Sequence, residues 1–116
     1  MQKITDYKQL TVWQKSMDLV VLIYKICEEL PKNQAFILCA QIQRAVISIP
    51  SNIAEGFRRS SQKEKKQFYS IAYASGAETE TQLEIIARLY PTINITEAKD
   101  LITEIQKMLN ALIRVF

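Results

Sequence analysis

The sequence predicts an all-α protein, an antiparallel up-down-up-down four-helix bundle that forms a single domain over residues 1–116. Of its 116 residues, 48% are apolar and only 2 are glycine and 3 proline, a composition that suits one compact core. Apolar residues recur at intervals of three and four, which is the period of a helix and not of a half-buried strand. The links between helical stretches are short, and short links favour antiparallel neighbours.

The first helix is predicted from about Val12 to Glu29. Its apolar positions step by four, three, four and three through Trp13, Met17, Val20, Tyr24 and Cys27. The segment from Thr11 to Gln14 has the pattern of a capping box at the start of this helix. Pro31 ends the helix, because proline disfavours helical backbone in the residue before it.

The second helix is predicted to begin near Gln34, with Asn33 as its cap. Its stripe includes two positions that are not apolar and runs through Leu38, Ile42, Ala45, Ile49, Asn52 and Gly56. Pro50 lies inside this pattern, and it cannot donate to the carbonyl of Val46. We therefore expect a kink or a local irregularity at Pro50. Gly56 and the turn residues after it close the helix.

A second capping-box pattern, from Ser61 to Glu64, opens a third helix that continues to Tyr90. The middle of this helix has small residues: Ala72, Ala74, Ser75, Gly76 and Ala77. They allow another helix to approach closely, which would offset the roughly 1 kcal/mol that an interior glycine costs relative to alanine. A fourth helix is predicted from about Asn94, and its stripe runs to Phe116.

The composition disfavours several classes of function. Fifteen basic and twelve acidic residues give a net charge of +3, which is too small to identify a nucleic-acid binder by itself. The chain has no histidine, and Cys27 and Cys39 lack metal-ligand spacing. We expect no metal, no cofactor, no catalytic residue, and two reduced, buried thiols. We also expect a cytoplasmic protein without membrane association, since no signal peptide or spanning apolar run is recognisable.

Positive charge is concentrated in one stretch, here called the basic turn, from Arg58 to Lys66. Its candidate nucleic-acid-binding residues are Arg58, Arg59, Lys63, Lys65 and Lys66. Lysine and arginine contact phosphates, and Phe68 and Tyr69 follow closely enough to stack on exposed bases. The alternative is that these charges are simply solvated at one end of the bundle.

A second group of residues is predicted to have a structural or interface role: Arg44, Pro50, Asn52, Glu55, Gly56 and Glu78. Antiparallel pairing of the second and third helices brings Arg44 near Glu78, so we expect a partly buried ion pair. Asn52 either sets helix register or lies at a subunit contact. Glu55 is expected to pair with Arg58 or Arg59. A catalytic Glu55 is the less favoured reading, because no second acid, base or nucleophile accompanies it.

The first helix has more apolar surface than one buried face requires, since all but one of the residues from Leu19 to Cys27 are apolar. Phe36 and Ile47 add apolar surface outside the stripe of the second helix. Large apolar patches usually mark interfaces, so we expect a homo-oligomer. The alternative is a first helix that is buried within its own bundle.

The segment from Gln41 to Gly56 resembles the signature of the 23S rRNA intervening-sequence proteins. Its most specific parts are Ser48-Ile49-Pro50 and Asn52-Ile53-Ala54-Glu55-Gly56. Further similarity comes from Leu10 to Lys15 and from Tyr24, Pro31, Phe68, Ala72, Ser75 and Glu78. The sequence departs from the family pattern in two places: Gln43 replaces a common arginine, and Ala74-Ser75-Gly76 replaces the usual Gly-Ser order.

The resemblance implies a bacterial, non-enzymatic four-helix bundle that assembles as a homopentameric ring. Accessory variability proteins of diversity-generating retroelements are similar in fold, and they bind a reverse transcriptase and nucleic acid. By this resemblance we expect weak RNA or DNA binding without sequence specificity through the basic turn. The alternative is a protein-interaction scaffold, for example an accessory subunit of a nucleic-acid-processing protein, that does not bind nucleic acid directly.

Overall fold

The computed structural model describes residues 3–116 and contains four long helices in that range. The helices are α1 (Thr11–Glu29), α2 (Lys32–Arg58), α3 (Gln62–Leu89) and α4 (Thr96–Arg114), and a 3-10 turn at Tyr7–Gln9 precedes them. Each helix packs against the next and α1 packs against α4, while no strand occurs among the described residues. The predicted all-α four-helix bundle is confirmed.

The start of α1 differs from the prediction. Leu10 occupies the N-cap position and makes no side-chain capping bond, so Thr11 does not form the expected capping box. The side chain of Gln14 instead donates to the backbone carbonyl of Lys8 at 2.9 Å. A capping box does form one turn earlier, between Asp6 and Gln9, because the 3-10 turn begins there.

The helix α2 begins at Lys32, earlier than predicted, and Pro31 is its N-cap residue. A proline suits this place because its fixed φ is compatible with a helix start and no donor is needed there. Asn33 therefore lies inside the first turn and does not cap the helix. The helical backbone continues through the buried Pro50 to Arg58, so the proline does not break α2.

The core is formed by branched aliphatic side chains from all four helices. Its fully buried members include Leu19, Ile23, Ile42, Val46, Ile49, Ile53, Leu83, Ile86, Ile102, Ile105 and Leu109. Burying each of these side chains contributes about 1.5–3 kcal/mol, which holds the helices together and presents their other faces to solvent.

Two glycines mark where neighbouring elements approach closely. The ring of Tyr69 lies against Gly56, where an added Cβ would be 2.7 Å from Cε1 of that ring. The amide of Gln106 on α4 lies against Gly76 on α3, where an added Cβ would be 2.6 Å from Nε2. Close packing at the small residues of α3 is therefore confirmed at Gly76. Ala74 lies on the exposed side of the helix.

Candidate nucleic-acid interface

The basic turn connects α2 to α3 at one end of the bundle. Ser61 is the N-cap of α3, and its hydroxyl accepts a hydrogen bond from the backbone N–H of Glu64 at 3.0 Å. Ser61 thus caps α3 as the sequence predicted, but the hydrogen bonds of the described residues do not include the reciprocal bond of a capping box, from the Ser61 N–H to the Glu64 side chain. The cap sets the point where the chain turns. The first turn of α3 consequently carries Lys63, Lys65 and Lys66 close to the end of α2.

Lys65 has a structural role that the sequence did not indicate. Its ammonium group donates to the backbone carbonyl of Phe57 at 2.7 Å and to that of Gly56 at 3.4 Å. It also lies 5.5 Å from the centre of the Phe57 ring. The last carbonyls of a helix lack internal donors and carry partial negative charge, so this lysine caps the C-terminus of α2. It is half-buried and less available to a phosphate than its neighbours.

The two arginines of the turn rest on aromatic rings. The Arg59 guanidinium pairs with the Glu55 carboxylate at 2.9 Å and lies 4.7 Å from the centre of the Phe68 ring. The local ion pair predicted for Glu55 is thus confirmed, and its partner is Arg59. The Arg58 guanidinium lies 5.3 Å from the centre of the Tyr7 ring. These contacts restrain both cations while leaving them exposed.

Of the five cations of the turn, only Arg59 has a carboxylate within ion-pair distance in residues 3–116, and Lys65 donates to backbone carbonyls. Three cations remain without either kind of partner in that range: Arg58, Lys63 and Lys66. All three are exposed, and they form the accessible part of the predicted cluster. The expected stacking role of Tyr69 is wrong, because its side chain is only 3% exposed. Its ring packs against Phe116 at a centroid distance of 5.8 Å, and burial raises its pKa. A base could not reach it.

Arg44 and Glu78 face the same groove but do not form the predicted pair. The groove between α2 and α3, here the α2–α3 groove, has a volume of about 450 Å³ and is lined by Gln41, Arg44, Ala45, Ser48, Ser75, Glu78 and Gln82. Both charged side chains are exposed, and the four ion pairs of the described residues do not include them. An exposed pair gains little over separate hydration, so nothing forces these two together within one chain.

Asn52 is half-buried and bonds within its own helix. Its amide donates to the backbone carbonyl of Ser48 at 2.8 Å and to the Ser48 hydroxyl at 2.9 Å. That hydroxyl also accepts a hydrogen bond from the Ser75 hydroxyl on α3 at 2.8 Å. Asn52 is thereby linked to α3 through Ser48, although its predicted role in register stays a prediction.

The two cysteines lie at an apolar groove between α1 and α2. Cys27 and Cys39 are free thiols and half-buried, so they are less buried than expected. Burial and the neighbouring Cys39 thiol raise the pKa of Cys27 to about 12, which keeps it protonated at neutral pH. The groove has a volume of about 400 Å³, and its other lining residues include Tyr24, Leu30 and Phe36.

Residues 3–116 contain neither a metal-binding cluster nor a membrane-spanning helix. No group of three or more histidine, cysteine, aspartate or glutamate side chains in this range could hold a metal ion. None of the described helices is long and apolar enough to cross a membrane.

The geometry defines a class of protein: an antiparallel four-helix bundle with a basic turn at one end and a polar groove between its two longest helices. The model of the family described as 23S rRNA-intervening sequence protein matches residues 8–111. The chain therefore belongs to the family of 23S rRNA-intervening sequence proteins, as its signature predicted.

A solved structure has the same fold over nearly its whole length. It is a protein of unknown function from the S23 ribosomal protein family of Bacteroides thetaiotaomicron VPI-5482. The sequences are 29% identical, the match covers 89% of this chain and 98% of that chain, and the TM-score is 0.80. A search of curated proteins gave no match.

Proposed function

We propose that this chain is a non-enzymatic, cytosolic homo-oligomer, a pentameric ring of bundles, that binds RNA or DNA weakly and without sequence specificity through the basic turn. The observation that carries the proposal is the exposure of Arg58, Lys63 and Lys66 at one end of the bundle with no carboxylate partner in residues 3–116. Such cations attract phosphates, and binding releases the counterions that surround a nucleic acid.

The five cations of the basic turn differ in how available they are to a phosphate. Arg58, Lys63 and Lys66 provide the main phosphate contacts, and Arg59 contributes when it leaves Glu55. Lys65 serves mainly to cap α2. The cluster consists of lysines and arginines, whose contacts with phosphates carry no information about the bases, so phosphate contacts outweigh base contacts and binding is insensitive to sequence.

Self-association is supported by apolar side chains that the bundle leaves exposed on α1 and α2. The most exposed are Phe36, at 75%, and Ile37, at 73%, on α2, and Val21, at 53%, on α1. Met17 and Tyr24 on α1 and Ile47 on α2 are also exposed. An oligomer that covers these side chains also repeats the basic turn once per copy. Repeated weak contacts raise the effective concentration of cations for a long polyanion.

The experiment that tests the binding proposal is fluorescence anisotropy with a labelled structured RNA and a DNA of the same sequence, over a range of salt concentrations. Affinity should fall steeply with salt, because each phosphate contact contributes about 0.7–0.9 to the slope of log K against log salt. The double variant Lys63→Met and Lys66→Met should reduce that slope. The matched control, Lys25→Met and Lys107→Met, removes two exposed lysines elsewhere and should leave it unchanged.

The alternative, a protein-interaction scaffold, is favoured by a different observation. The apolar α1–α2 groove of about 400 Å³ beside the exposed Phe36 is suited to an apolar side chain of a partner protein. A nucleic-acid-processing protein is the partner we expect in that case. Absence of RNA and DNA binding at low salt would reject the first proposal and leave this one.

A further inference from the structure

The α2–α3 groove contains polar groups that lack partners among the described residues. Arg44 and Glu78 are exposed and unpaired, although they carry opposite charges and face the same groove. The side-chain oxygen of Gln82 in the groove wall is closed off from solvent and accepts no hydrogen bond. Charges of both signs on one open face can be matched by complementary charges of another molecule, and such matching fixes the register of a contact.

The two charges lie at nearly the same level along the bundle. The hydrogen bond between Ser48 and Ser75 places those residues opposite each other on the antiparallel helices. Arg44 lies four residues before Ser48, and Glu78 lies three residues after Ser75, so both are displaced towards the same end. At about 1.5 Å per residue, the levels of Arg44 and Glu78 differ by about 1.5 Å.

Exposed apolar side chains lie beyond Arg44 on α2 and beyond Glu78 on α3, again at similar levels along the bundle. Ile37 precedes Gln41 by four residues on α2, and it is 73% exposed. Ile85 and Leu89 follow Gln82 on α3 at spacings of three and seven, and Leu89 is 62% exposed. Ile37 on α2 therefore lies within about 1.5 Å of the level of Ile85 on α3 and about 4.5 Å short of the level of Leu89, roughly two turns beyond the charged pair.

From this matching we propose that α2 of one copy lies alongside α3 of the next, with Arg44 of one copy paired to Glu78 of its neighbour. The inference rests on the self-association proposed above, and it adds a contact between α2 and α3 to the exposed apolar side chains of α1 and α2 named there. Rotation about an axis parallel to the helices keeps each residue at its level, so Arg44 meets the neighbouring Glu78 and Ile37 meets the neighbouring Ile85 and Leu89. The contact continues the antiparallel order of helices from one copy to the next.

A nucleic acid is a poor occupant of this face. Arg44 and Glu78 together carry no net charge, and a phosphate attracted by the arginine would meet the carboxylate. The apolar side chains beyond them offer nothing to a hydrated backbone. A second copy matches both the charges and the apolar side chains of this face. It presents the Glu78 carboxylate to the Arg44 guanidinium of the first copy, and aliphatic side chains to the aliphatic side chains of the first copy.

Charge reversal with measurement of molar mass tests the contact. The set comprises wild type, Arg44→Glu, Glu78→Arg and the double reversal, each followed by light scattering over a dilution series. Each single reversal places like charges together and should raise the midpoint concentration for dissociation about tenfold or more. The double reversal restores opposite charges and should return the midpoint to near the wild-type value. Far-UV circular dichroism checks folding, which these exposed positions should not disturb.

Two further variants keep the result decisive. Arg44→Gln with Glu78→Gln removes both charges and should weaken association less than either reversal. Lys107→Glu, a reversal at an exposed site of α4, should leave the mass unchanged. An oligomer whose mass is insensitive to the single reversals, or is not restored by the double, overturns this contact and leaves self-association intact. A wild-type chain that is monomeric at all concentrations overturns both.

Discussion

Replacing Gly76 with alanine should destabilise the bundle, contrary to the usual effect of removing a glycine from a helix. The added methyl group would lie 2.6 Å from Nε2 of Gln106, too close for two non-bonded heavy atoms. That amide is held in place, since it is only 8% exposed and donates to the backbone carbonyl of Tyr73 at 2.9 Å. The methyl group can be accommodated only if the amide moves away and the hydrogen bond breaks.

The magnitude follows from two opposing terms. Losing a buried hydrogen bond costs about 1–3 kcal/mol, whereas alanine in place of a helical glycine contributes about 1 kcal/mol of stability. Gly76→Ala should therefore lower the free energy of unfolding by about 0–2 kcal/mol. In a Gln106→Ala background the methyl group has room, and the same change should raise the free energy of unfolding by about 1 kcal/mol. An effect of Gly76→Ala that is destabilising in one background and stabilising in the other would show that positions 76 and 106 are energetically coupled.

The assay is urea and thermal unfolding of the four proteins of this double-mutant cycle, followed by far-UV circular dichroism. A difference of 1 kcal/mol corresponds to about 4 °C in Tm for a chain of this size. Ala74→Gly is the matched control, because it changes helix propensity at an exposed site of the same helix. It should cost about 1 kcal/mol in both backgrounds. If Gly76→Ala stabilised both backgrounds equally, the Gln106 amide would not constrain this position.

Two further predictions concern single side chains. Lys65→Met should lower the free energy of unfolding by about 0.5–1.5 kcal/mol, because the C-terminal carbonyls of α2 lose their donor, while Lys63→Met leaves it unchanged in the same urea titration. For Cys27, the folded-state pKa of about 12 exceeds the ordinary value of 9.0. The unfolded chain ionises first, so the free energy of unfolding falls as pH rises above 9.0 towards about 12. Cys27→Ala should reduce this decline between pH 9.0 and about pH 12; an identical decline in both proteins would contradict it.

Much of the basic turn could be located from the sequence, but its accessible part could not. The run of cations and the Ser61 cap are local patterns, and both appear where they were expected. Whether a cation is available to a phosphate depends on where backbone carbonyls, carboxylates and aromatic rings lie around it in the folded chain. Lys65 reaches back across the turn to Phe57, and nothing in the spacing distinguishes it from Lys63 or Lys66.

The same distinction explains the corrected predictions. Thr11 and Asn33 have the right residue types for caps, but the 3-10 turn and Pro31 begin their helices elsewhere. Arg44 and Glu78 lie at similar levels along the bundle, as antiparallel pairing of α2 and α3 requires. Both are exposed, however, and an exposed ion pair contributes little free energy, so they do not pair within one chain.

The sequence by itself determined the four helices, their antiparallel order and the family, because the period of apolar residues and the signature from Gln41 to Gly56 are both carried by neighbouring positions. Only the tertiary structure decided which polar groups are free. It buried Tyr69 against Phe116, placed the Gln106 amide on Gly76 and left Arg44 and Glu78 unpaired in the described part of the chain. These outcomes depend on contacts between residues of different helices, and the spacing of neighbouring residues in the sequence does not predict such contacts.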